Sequence, residues 1–147
     1  MEKTRQIDPI MDLKEHFKNK ILEFFEKSET RYYLLIESKD LLEFVDYLFN
    51  KLNARYQIIS ALDTPAGIEI VYHFALDNHG KVISLRVILP HENTQIESIA
   101  PIITGAQWIE REISEIIGVK FLNHPDPRKF LLSDDWPEGI HPYRRKN

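Results

Sequence analysis

The densest run of chemistry-bearing side chains lies between residues 110 and 128: Glu110-Arg111-Glu112, then Glu115, then His124-Pro125-Asp126-Pro127-Arg128. Side chains three apart on a helix share a face, so Glu112 and Glu115 could hold one cation between them. With His124 as base or further ligand, that set would describe a small stand-alone metal-dependent hydrolase. The spacing argues against it. One histidine among scattered acids lacks the paired ligands of a zinc site, and no HExxH pair occurs. A solvated helix flank followed by a turn accounts for the same residues. On that helix Trp108, Glu112 and Glu115 lie along one side of an isoleucine stripe, Arg111 points largely away from it, and Glu110 lies toward its other edge. Arg111 and Glu115, four apart, could pair. Residues that precede prolines are pushed extended. The segment from His124 to Pro127 is therefore stiff, which suits docking better than catalysis.

Other chemistries find little support. The chain has 147 residues and no cysteine, which removes thiol catalysis and the usual ligands of an iron–sulfur cluster. If the protein serves electron transfer, its partners carry the cofactors. A net charge of −4 argues against a general nucleic-acid binder. Five glycines and no GxSxG leave no phosphate-cradling loop or nucleophile elbow. His16 lies beside an apolar helix stripe, His73 on the polar side of a strand, and His79 and His91 in loops, so none is assigned a role. No run approaches the ~18 apolar residues that span a bilayer. Residues 1–14 alternate charges without a signal-peptide core. A cytoplasmic location is expected, with any membrane contact made through a partner.

The elements that must position these residues form one α+β domain, an ordinary outcome for 43% hydrophobic and 29% charged residues. Ile10, Leu13, Phe17, Ile21 and Phe24 recur at helical steps and predict a helix over 8–27. Residues 31–37 (RYYLLIE) predict a strand, and 38–52 a second helix with Leu41, Val45, Leu48 and Leu52 inward. An antiparallel meander follows. Its first strand turns Tyr56, Ile58, Ser60 and Leu62 to one face. Its second alternates Ile68, Ile70, Tyr72, Phe74 and Leu76 with polar residues, and its third alternates Ile83, Leu85, Val87 and Leu89. Turns are expected at 63–67 and 77–80. Residues 96–118 predict helix in two parts, broken between Pro101 and Gly105. The second part buries Ile109, Ile113, Ile116 and Ile117, and Gly118 ends it. Residues 119–121 could add a short strand. The compact domain is placed at 1–121.

Residues 122–147 form an extended proline-rich tail. Pro125, Pro127, Pro137 and Pro142 are half of the eight prolines in the chain. Phe130, Leu131, Leu132, Trp136, Ile140 and Tyr143 demand burial, and Arg144, Arg145 and Lys146 make a basic end. An apolar, proline-braced tail suits wrapping over a partner.

These same residues resemble the complex I 30 kDa subunit family, the C subunit of the proton-pumping NADH–quinone oxidoreductase. That family includes homologous subunits of membrane-bound energy-converting nickel–iron hydrogenases. Its signature begins Glu110-Arg111-Glu112, continues through Glu115 and Ile116-Ile117 to His124, and ends at Arg128 and Phe130-Leu131. The acid at position 115 is often Asp in the family. Asp135-Trp136-Pro137-Glu138-Gly139 and His141-Pro142-Tyr143-Arg144-Arg145 resemble the family's ending, with Tyr143 and Lys146 as departures. The resemblance implies a non-catalytic assembly subunit with no cofactor of its own. It would dock on the large subunit that carries a quinone or nickel–iron site, beside iron–sulfur subunits, at the cytoplasmic face of the membrane. Glu110, Arg111, Glu112, Glu115, His124, Pro125, Asp126, Arg128, Trp136, Arg144 and Arg145 would fix the local fold and the contact. The 135–139 stretch looks more like the hydrogenase-type relatives, with the respiratory NADH–quinone oxidoreductase as the alternative.

Overall fold

The structure is a computed structural model that describes residues 8–125. Helix α1 (Pro9–His16) starts at Asp8, whose carboxylate accepts the Ile10 N–H at 3.0 Å, with Pro9 in the first turn. Strands β1 (Ile21–Ser28) and β2 (Arg31–Ile36) make a hairpin. A continuous helical stretch follows: a 3-10 turn at Ser38–Asp40, α2 (Leu41–Asp46) and a π turn at Tyr47–Lys51. Strands β3 (Arg55–Thr64), β4 (Gly67–Leu76) and β5 (Lys81–Leu89) form the meander, joined in the second case by a loop whose Gly80 takes φ +63°. Then come β6 (Gln95–Glu97), a 3-10 turn at Thr104–Ala106, α3 (Gln107–Ile117) and β7 (Lys120–Leu122).

The main sheet has five strands in the order β1-β2-β5-β4-β3. Within it β2 and β5 run parallel, because the helical stretch and two meander strands intervene between them. The inward rows bury Leu34 and Ile36, Ile70, Tyr72 and Phe74, and Ile83, Leu85 and Val87. They share one core with Leu13, Phe17, Leu41, Phe44, Leu48, Ile113 and Ile117 of the helices. This is the expected α+β domain. Strands β6 and β7 form a separate parallel pair beyond it.

Three expectations needed correction, and each has a physical cause. The predicted helix over 8–27 stops at His16, and 21–28 is strand. Pairing shifts by one residue between Ile21 and Glu23, so Leu22 is an extra residue in β1. This bulge sets Ile21 and Phe24, three apart, on the same face, which imitates a helical step. A second shift between Tyr56 and Ile58 makes Gln57 the extra residue of β3. Beyond it Ile59 and Asp63 are buried, while Ile58 and Leu62 face solvent with 50% and 64% of their surface exposed. A one-residue slip inverts a strand's faces, so the expected set of Tyr56, Ile58, Ser60 and Leu62 is split. Third, 96–118 is helical only from residue 104; Ile96 belongs to β6, whose partner is β7.

The meander is closed tightly at Gly67, which has φ +146°; a Cβ there would stand 2.3 Å from the Leu89 carbonyl oxygen. Neither the backbone angle nor the contact can be relieved by a side-chain rotation. Gly67→Ala is expected to destabilise the fold by about 2 kcal/mol or more, read as a lowered midpoint in urea; an unchanged midpoint would show that this turn is not under the stated constraint.

Candidate docking site

Helix α3 carries the Glu110–Glu115 cluster. Its amphipathic spacing puts Ile113 and Ile117 into the core. Gly118 ends it at φ +86°, donating its N–H to the Ser114 carbonyl at 3.1 Å. The chain then doubles back along the helix, and β7 pairs with β6. That reversal covers a helix flank which the periodicity alone leaves in solvent.

Glu110 has no solvent exposure. Its Oε1 accepts the Ser98 hydroxyl at 2.6 Å, and its Oε2 accepts the Ile99 N–H at 2.8 Å. Ser98 Oγ in turn accepts the Ala100 N–H at 3.0 Å. One carboxylate therefore organises the whole turn that follows β6. The His124 side chain, 4% exposed, lies 3.7 Å from Glu110 Oε1. Its Nε2 is 2.9 Å from the Gln107 carbonyl, an acceptor, so this nitrogen carries the proton and donates. Burial pushes the Glu110 carboxyl above the usual glutamate range, opposed by the Ser98 and Ile99 hydrogen bonds and by His124. Its influence reaches the sheet. The Tyr56 phenol is pushed up to about 12, first by burial and then by Glu110. The wholly buried Tyr72 phenol is raised in the same way, and its hydroxyl has no hydrogen-bond partner among the described residues.

The other predicted residues divide. Arg111 and Glu115 are buried, at 7% and 8% exposure. This corrects the picture of a solvated flank with Arg111 turned outward. The Arg111 guanidinium lies over the Trp108 ring at 5.5 Å, a cation–π contact, while Trp108 is half exposed. Ile109 and Ile116, expected in the core, are only partly buried, and so is Glu112. Glu110, Arg111, Ser114, Lys120, Phe121 and His124 help line a pocket of about 240 Å³ between α3 and β7. Leu122 closes β7 and His124 packs beneath α3, past the expected limit of the compact body at 121. Asp126, Arg128, Trp136, Arg144 and Arg145 lie outside the described residues. Among the described residues no three or more acidic or histidine side chains are placed to hold a metal ion, so Glu112, Glu115 and His124 do not assemble as a metal centre. Sequence reading missed Ser98. A serine in a loop carries no signal until its helical partner is known.

The family profile described as respiratory-chain NADH dehydrogenase, 30 Kd subunit, matches residues 34–147. The chain belongs to this family. The match takes in all of the main sheet except β1 and the start of β2, and all of the cluster just described. The C subunit of F(420)H(2) dehydrogenase from Methanosarcina mazei is 38% identical over 85 residues, which cover 54% of each chain. The C subunit of NADH-quinone oxidoreductase from Mesorhizobium japonicum is 36% identical over 118 residues, covering 75% of this chain and 56% of that one. The chain thus spans about half the length of these relatives. Among solved structures, the fold is shared with a chain of the membrane-bound sulfane sulfur reductase, an archaeal respiratory membrane complex. There the TM-score is 0.80 at 22% identity, covering 92% of this chain and 81% of that one. A trypsin-resistant fragment of Nqo5 gives 0.67 at 18% identity, covering 80% and 96%. No helix among the described residues of this family member is long and apolar enough to cross a membrane.

Glu110 holds its proton to higher pH in the folded chain than in the unfolded one. Between about 4.3 and that raised value the native state binds more protons, so rising pH removes stability there. Above the window the loss is complete and constant. The stability of the wild type minus that of Glu110→Gln should therefore fall with pH across this window and then level off, as read from urea unfolding at a series of pH values. A difference that rises with pH would reverse the assignment.

Proposed function

We propose that this chain is a non-catalytic assembly subunit of a membrane-associated redox complex, docking on a large subunit that carries a quinone or nickel–iron site. The observation that carries this reading is the family match, which runs through α3 and on to residue 147. Two relatives are subunits by name, of an F(420)H(2) dehydrogenase and of an NADH–quinone oxidoreductase. The geometry is in keeping with it. The charged signature residues are spent on holding the chain together: Glu110 on the 98–100 turn, His124 on α3.

In this reading Glu110, Arg111, Glu115 and His124 fix the base from which the tail departs. Pro125 stiffens its exit. Asp126, Arg128, Trp136, Arg144 and Arg145 then meet the large subunit, with Glu112 at the rim. Iron–sulfur clusters and the quinone or nickel–iron site belong to partner chains. The protein sits at the cytoplasmic face of the membrane through its complex. The 135–139 sequence favours a hydrogenase-type complex over a respiratory NADH–quinone oxidoreductase. The hydrolase alternative gains nothing from the placement of Glu112, Glu115 and His124.

The test compares the full chain with one ending at Pro125, each used for affinity purification from gently solubilised membranes. The full chain is expected to retain a large subunit, whose identity decides the branch. The shortened chain should still unfold cooperatively but retain little of that partner. Undiminished retention would remove the tail from the contact, and a full chain recovered alone would overturn the assembly role.

A further inference from the structure

The outward face of the main sheet carries a polar centre that the docking cluster does not use. Register aligns Phe25, Tyr33, Ser84, His73 and Ile58 in one row across all five strands. The ends of this row are apolar and exposed, Phe25 at 58% and Ile58 at 50%. Phe25 and Tyr33 are in ring contact at 6.4 Å. At the centre, His73 Nδ1 lies 2.8 Å from Ser84 Oγ and His73 Nε2 lies 3.2 Å from Ser60 Oγ. Hydroxyls can donate or accept, so both ring nitrogens stay satisfied whichever charge the imidazole carries.

Beside this histidine is a pocket of about 110 Å³ lined by Arg31, Tyr33, Gln57, His73, Val82 and Ser84. Gln57 is the extra residue of the β3 bulge, and bulges commonly re-aim a side chain in this way. The arginines of these strands differ in their partners. Arg55 meets Asp77 at 2.9 Å and Arg86 meets Glu69 at 2.7 Å. Arg31 pairs with no carboxylate among the described residues. Burial and the nearby Arg31 charge both hold His73 below the usual histidine range. Among the described residues the pocket lining thus holds the Arg31 cation and no acidic side chain. A guanidinium fork presents parallel donors that match the two oxygens of a carboxylate.

We propose that this pocket is an oxoanion site that takes a carboxylate on the Arg31 guanidinium, beside the His73 ring. It is independent of the docking reading, because it lies on the outward sheet face and uses none of the tail. The test is NMR of the full chain with labelled histidine, titrated with sodium acetate and, separately, sodium phosphate at constant ionic strength. Acetate is expected to shift the His73 ring signals saturably and to raise its titration midpoint, more strongly than phosphate does. Arg31→Gln should abolish saturation and Arg31→Lys should weaken it, whereas Arg55→Gln, which removes the same charge elsewhere, should leave it intact. An absent or non-saturating response, or one unaltered by Arg31→Gln, would overturn the site; tighter binding of phosphate would overturn its assignment to carboxylates. The same titration on the purified complex separates two sources of that group. A lost acetate response identifies an acidic side chain of a neighbouring subunit as the occupant, and a retained one a free carboxylate.

Discussion

The end of the domain that carries the family signature depends on one buried carboxylate. Removing Glu110 from water is costly unless its charge is matched by hydrogen bonds. The fold matches it with a serine hydroxyl and a backbone N–H from residues 98 and 99, and sets His124 alongside. The same contacts satisfy a backbone N–H that would otherwise be buried alone, in a turn with no regular ladder of its own. α3, the turn after β6, and the segment after β7 are therefore one mechanical unit. In the proposed reading, a docking tail anchored at this unit has less ordering entropy to lose on binding than one that leaves from a loose end.

Most of the architecture was legible because periodicity reports burial. Strands β4 and β5 alternate cleanly, and the rows expected inward, from Ile68 to Leu76 and from Ile83 to Leu89, are buried. Gly80 and Gly118 both take the positive φ that their positions suggested. Periodicity failed where a bulge altered the count. The extra residue at Leu22 made a strand read as helix, and the one at Gln57 exchanged the two faces of β3. Neither bulge contains a glycine or other local marker, since each follows from the register with its partner strand, which the alternation within one strand does not report.

The cluster was legible as a motif and illegible as geometry. Residue types at 110–112, 115 and 124 pointed to a family, and the family is confirmed. That Glu110, Arg111 and Glu115 would be buried was not visible, because a helical wheel cannot show which polar flank the returning chain will cover. The sheet shows the complementary case. Its inward face is closed by α1, α2 and α3, while its outward face mixes exposed apolar residues with ion pairs and the Arg31 pocket. The chain thus has two separate surfaces of interest, one built by the signature and one built by strand register.

Glu110 joins α3 to the turn at 98–100 as a single cooperative unit. Native-state hydrogen exchange of the Ile99 and Ala100 amides tests it most directly, in the wild type and in Glu110→Gln. Wild-type exchange should be as slow as that of the β4 and β5 amides, through global unfolding, with faster exchange by local opening in the variant. Fast exchange at both amides in the wild type, or no difference between the two proteins, would contradict it.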